Sequence, residues 1–93
     1  MISVTITGQN LKNVCDGGTA RLRGIMLDGA SGVISGNVVV NINQGASGCQ
    51  EGNAIEVRSC DGAGPVTAEI SHNTISSWQK TGIVANCQVT AWV

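Results

Sequence analysis

Along the chain, apolar residues come in short runs of period two, and Gly, Asn or Asp ends each run. The stretch Gly24 to Ile42, GIMLDGASGVISGNVVVNI, holds one full set. Ile25 and Leu27 alternate with Met26 and Asp28, Gly32 and Ile34 with Val33 and Ser35, and a Gly36-Asn37 turn signal leads to Val39 and Ile42. Alternation at this period puts every second side chain on one face of an extended backbone. Runs this short and this often broken predict strands separated by bends, not a helix.

The set recurs on both sides. Ile6 to Val14 (ITGQNLKNV) lies over Ile34 to Ile42 (ISGNVVVNI), with identities at Ile6/Ile34, Gly8/Gly36 and Asn13/Asn41. Ile70 to Trp78 (ISHNTISSW) lies over the same segment, with Ile70, Ser71 and Asn73 matching Ile34, Ser35 and Asn37. The first run repeats as Gly24-Ile25-Met26-Leu27, Ala54-Ile55-Glu56-Val57 and Gly82-Ile83-Val84-Ala85. Repeats of roughly 20 to 50 residues point to solenoids or propellers. A propeller blade needs four strands per repeat, and each unit here has room for three short ones. The alternative to a repeat is a plain β-sandwich whose segments are similar by chance.

The consensus G-I-x-L, followed by apolar-x-I-x-x-N-x-I, resembles the parallel β-helix repeat of the right-handed, pectate-lyase-like β-helix proteins, from Val4 to about Val93. The resemblance implies an all-β chain, a right-handed parallel β-helix solenoid of about three coils. It would be a single domain over residues 1–93, either whole or a fragment of a longer β-helix. Ile25-Leu27, Ile55-Val57 and Ile83-Ala85 would form one parallel sheet; Val4-Ile6, Gly32-Ile34 and Ala68-Ile70 a second; Leu11, Val39 and Ile75 a third. The tight bend between the second and third falls at Gln9, Asn37 and Asn73. Asn tolerates left-handed backbone, and its amide can bond the same amide one coil away, at about 4.8 Å. Asn37 and Asn73 are therefore expected to form the asparagine ladder of that family, with Gln9 departing from it.

Composition sharpens the picture of the interior. The chain has 13 Gly, 1 Pro, 2 Trp and neither Phe nor Tyr, so Val, Ile, Leu and Ala must fill the core. Small branched side chains fill a narrow tube in layers and favour strands. Charged residues make up 12% of the chain and the net charge is -1, which leaves no basic stripe to track phosphates. A nucleic-acid partner is disfavoured. No apolar run reaches the roughly 18 residues of a membrane-spanning helix. Met1 to Val4 carry neither the basic nor the apolar region of a signal peptide.

Four cysteines remain to be placed. There is no C-x-x-C, and the lone His72 sits in a turn, so no metal site is expected. In the coil alignment, Cys15 and Cys49 lie in equivalent loops of adjacent coils, and Cys60 and Cys87 follow Ile55 and Ile83 by five and four residues, also in adjacent coils. Coils about 4.8 Å apart fall within the Cα separation a disulfide needs, about 4.4 to 6.8 Å. The expectation is Cys15 with Cys49 and Cys60 with Cys87, which would favour a secreted or cell-surface location. Four buried thiols in an intracellular protein is the alternative.

The connections flanking the first sheet are the long ones: 15–23, 43–53 and 59–67. If Ile25, Leu27, Ile55 and Val57 point in, Met26, Asp28, Glu56 and Arg58 point out, along the face that bears the active cleft in the resembled enzymes. Asp28, Glu56 and Arg58 are the candidate ligand-binding residues there. Sugar hydrolysis needs two carboxylates at controlled separation, and elimination needs a base with a calcium-binding acidic cluster. Neither the paired-aspartate and G-H-G motifs of polygalacturonases nor the acidic calcium set of pectate lyases is present, so no catalytic residue and no cofactor is assigned. His72 reads as an exposed turn residue, Trp78 as a filler at the end of the third sheet, and Trp92 as a residue that could stack on a sugar. The function expected is a non-catalytic structural or interaction module that binds a polysaccharide weakly. The alternative is a fragment or relative of a carbohydrate-active β-helix enzyme. Open ends would make it a homo-oligomer through end or edge association.

Overall fold

A computed structural model describes residues 22–43 and 52–93, so the expectations for Gln9, Leu11, Cys15, Cys49 and the first repeat lie outside the described residues. These residues form eight strands and no helix: β1 (Arg23–Asp28), β2 (Gly32–Ser35), β3 (Val38–Val40), β4 (Asn53–Ser59), β5 (Val66–Ser71), β6 (Thr74–Ser76), β7 (Thr81–Cys87) and β8 (Val89–Trp92).

Each strand pairs in parallel with the strand three places along the chain. The sheets are β1-β4-β7, β2-β5-β8 and β3-β6, and all three are open. Ile25, Ile55 and Ile83 share one row, Ile34 and Ile70 another, Val39 and Ile75 a third. Among the described residues, the rows read from the repeats are those the backbone forms. The eighth strand adds a row the repeats did not yield: Val89, Thr90 and Ala91 lie beside Val66, Thr67 and Ala68.

Aliphatic residues fill the interior. Ile34, Val39, Ile42, Ala54, Ile55, Val57, Val66, Ala68 and Ile70 are buried, with Ile75, Ile83 and Val89 packed against them from the end where β6, β7 and β8 lie. Two glycines are required by close approach. A Cβ at Gly24 would collide with Ala54 O and lie 2.7 Å from Val39 Cγ1, and one at Gly52 would run into Ile42 O. Backbone and β-branched cores therefore approach closer there than any side chain allows.

The bends obey a backbone rule. Between the second and third sheets the left-handed residue is Gly36 (φ 73°) in one repeat and His72 (φ 57°) in the next, each directly before its Asn. This corrects the expectation that Asn37 and Asn73 themselves take that conformation. After the third sheet, Asn41 (φ 58°) and Ser77 (φ 57°) are left-handed in equivalent places, and after the first sheet Gly29 and Cys87 are, both at φ 67°.

Trp78 is not a core filler. Ile42, its counterpart in the preceding repeat, is fully buried, whereas Trp78 is 46% exposed. Its ring lies over Gly82, 3.4 Å from where a Cβ would stand. An indole is too large for the layer that an isoleucine fills, and the bare glycine gives it a flat seat outside.

Candidate functional site

At the bend into the third sheet, the two asparagines are linked through side chains and backbone. Asn37 Nδ2 donates to Asn73 Oδ1 at 3.0 Å, and the same oxygen accepts from Asn37 N, also at 3.0 Å. Asn37 Nδ2 also reaches Ser35 O at 3.3 Å, while Asn73 Nδ2 donates to Ile34 O at 2.9 Å. Beside them, Ser71 Oγ donates to Ser35 Oγ at 3.2 Å. Every contact but one crosses between repeats, so the ladder fixes how one repeat sits on the next. It is a structural device, and His72 next to it is exposed, as expected of a turn residue.

Parallel pairing places the first-sheet candidates in two rows, Met26–Glu56–Val84 and Asp28–Arg58–Asn86. Exposure does not follow the alternation. Glu56 is only 1% exposed, where the sequence put it outward. Its Oε1 accepts from Arg23 Nε at 2.5 Å and from Asn53 Nδ2 at 2.9 Å. The ionised carboxylate is kept in the interior because a guanidinium and an amide replace its lost hydration. Oε2 of Glu56 and Oδ1 of Asn53 are buried without a donor. Asp28 and Arg58 stay near the surface as a loose ion pair, Nε to Oδ1 3.7 Å. The structure thus joins Asp28 to Arg58 and takes Glu56 away from them, toward Arg23 and Asn53. Neither of these partners was singled out in the sequence, because Arg23 reads there as the end of a polar loop.

Cys60 and Cys87 form a disulfide with their Cα atoms 5.2 Å apart. The bridge closes the corner where β4 leaves the first sheet. Ser59 Oγ donates to Gly64 O across the 60–65 loop, folding that excursion back on its own base.

A second concave feature lies on the outer face of the second sheet. It is a shallow groove of about 290 Å³ lined by Ser31, Val33, Thr67, Glu69 and Trp92. Val33, Glu69 and Trp92 occupy one row across β2, β5 and β8. Strands in a sheet are about 4.8 Å apart, so the valine and the indole stand about 10 Å from each other with the carboxylate between them. Ser31 Oγ accepts from Thr67 N at 3.0 Å at the groove's other side. The signal for this site was in the sequence: the tripeptide Val66-Thr67-Ala68 is repeated as Val89-Thr90-Ala91, which sets Trp92 beside Glu69.

Comparison with protein-family models, with curated proteins and with solved structures finds no match. Among the described residues no helix is long and apolar enough to cross a membrane, and no cluster of three or more His, Cys, Asp or Glu is placed to hold a metal.

Proposed function

We propose that the chain is a right-handed parallel β-helix solenoid of about three coils, of the kind its repeats resemble, and that it is a non-catalytic structural or interaction module with a weak affinity for polysaccharide. The handedness is supported by sterics, since parallel crossover connections are right-handed in about 98% of cases. The observation that carries the functional reading is the fate of Glu56. Its buried carboxylate is engaged by Arg23 and Asn53, so the carboxyl group at the centre of the first-sheet face serves the fold. A glycosidase pair needs both carboxylates open to the scissile bond. What remains outside, Asp28 and Arg58, suits hydrogen bonding to hydroxyls.

The disulfide supports a secreted or cell-surface location, where such bonds persist. The end of the molecule formed by β6, β7 and β8 carries the half-covered Ile75, Ile83 and Val89, which supports self-association there. Glycan titration followed by NMR shift mapping tests the reading. Saturable shifts without any cleavage or elimination product are expected. Turnover of a polysaccharide, or no response to any glycan, would refute it.

A further inference from the structure

We infer that the groove on the second sheet is a subsite for an amino sugar with a free, protonated amine. The inference rests on the carbohydrate reading above and names the class of sugar and the face that takes it.

The argument begins with charge. Among the described residues the Glu69 carboxylate has no hydrogen-bond or ion-pair partner, and none of the groove's described lining residues is Lys or Arg. A nucleotide, a uronic acid or any other anion meets repulsion there. A cation meets a carboxylate and, one strand away in the same row, an indole that is 59% exposed and whose π system attracts cations.

The apolar walls restrict the cation further. Val33, 65% exposed, and Trp92 present the kind of surface that covers the C–H face of a pyranose ring. On the other side, the Ser31 hydroxyl accepts from the Thr67 amide and keeps its own proton to donate, and the Thr67 hydroxyl stands beside it. A ring with an apolar face, hydroxyls at one edge and an ammonium at another matches all three elements. The volume of about 290 Å³ sits at the lower end of the roughly 300–1,000 Å³ of small-molecule sites, which sets the ligand at about one sugar unit of a longer chain.

The test compares β-1,4-linked tetramers of glucosamine, N-acetylglucosamine and glucose by NMR titration at about pH 6, on the acid side of a primary amine's titration. The glucosamine tetramer is expected to bind about fivefold more tightly than the other two. Its shifts should centre on Val33, Thr67, Glu69 and the Trp92 indole. Glu69→Gln should weaken the preference for the glucosamine tetramer without erasing it, and Trp92→Ala should remove binding. Val33→Lys, a change at an exposed site that leaves the fold in place, should abolish the preference for the amine.

Equal affinity for all three tetramers would overturn the inference, as would binding of ethanolamine as tight as that of the glucosamine tetramer, which would make the site one for cations without a sugar. Shifts confined to Asp28 and Arg58 would overturn it while leaving the carbohydrate reading intact. Silence toward every tetramer would overturn it, and silence toward every other glycan as well would end the carbohydrate reading too.

Discussion

Removing either rung of the asparagine ladder should destabilise the protein, and by unequal amounts. Asn73→Ala deletes an oxygen that accepts two bonds, from Asn37 N and Asn37 Nδ2, and a nitrogen that donates to Ile34 O. Three protein groups each lose one bond at once, and Asn37 Nδ2 keeps only its long contact to Ser35 O. Asn37→Ala deletes two bonds, one of them a long 3.3 Å contact to Ser35 O, and leaves Asn73 Oδ1 still bound to the Asn37 backbone amide. At about 1 kcal/mol per bond, Asn73→Ala should cost about 3 kcal/mol and Asn37→Ala about 1 to 2 kcal/mol. Because both variants break the same Nδ2 to Oδ1 bond, the double variant should cost about 1 kcal/mol less than the two singles together. Urea unfolding at matched m-value gives the three numbers. In melting temperature, Asn73→Ala should fall by at least 12 °C, at about 4 to 8 °C per kcal/mol for a domain of this size. Asn37→Ala costing as much as Asn73→Ala, or strict additivity of the pair, would show that the side-chain bonds are not what joins the repeats.

Five further variants probe the bends, the bridge and the buried ion. His72→Gly should stabilise by about 0.5 to 1 kcal/mol, because the left-handed strain it removes exceeds the added freedom of a glycine, whereas Asn41→Leu should cost about 1 kcal/mol; both are read from thermal melts, and a destabilising His72→Gly would contradict the argument. Replacing Cys60 and Cys87 together by Ser opens a loop spanning 27 residues and should cost about 3 to 4 kcal/mol, with a loss under 1 kcal/mol in denaturant unfolding counting against the bridge as a staple. Glu56→Gln should cost about 3 kcal/mol by putting a neutral amide in place of the buried charge that Arg23 and Asn53 engage, while Asp28→Asn should stay within about 0.5 kcal/mol; equal effects in chemical denaturation would mean Glu56 is not buried as described.

Much of the fold could be read from the chain because its repeats carry register as well as period. Ile25, Ile55 and Ile83 align in the sequence and in the first sheet for one reason: slipping a strand by one residue would turn its apolar side chains outward. The ladder was legible because Asn37 and Asn73 share a position relative to Ile34 and Ile70. The candidate site was less legible. Alternation tells which face a side chain leaves by, not whether that face is covered, so Glu56 read as an exposed ligand group and is instead buried with Arg23. Trp78 was misplaced because its position in the repeat belongs to an isoleucine, and position alone carries no volume. The groove is the least legible part, because one short identity, Val66-Thr67-Ala68 with Val89-Thr90-Ala91, is all in the sequence that sets Trp92 against Glu69.

The corner between the first and second sheets is spanned by residues 29–31 in one repeat, by 60–65 in the next and by Gln88 alone in the last, while the strands on either side keep their pairing. Such indifference to length makes the corner a natural graft point for foreign peptide. Gly62 and Gly64, at φ 80° and 88° with open space where a Cβ would stand, mark the place to cut. The Ser59–Gly64 bond and the neighbouring bridge hold the two stumps together. Each doubling of the inserted length adds only about 0.6 kcal/mol of closure cost, so the scaffold could display epitopes or binding loops in rows, one per repeat, at the spacing of adjacent strands.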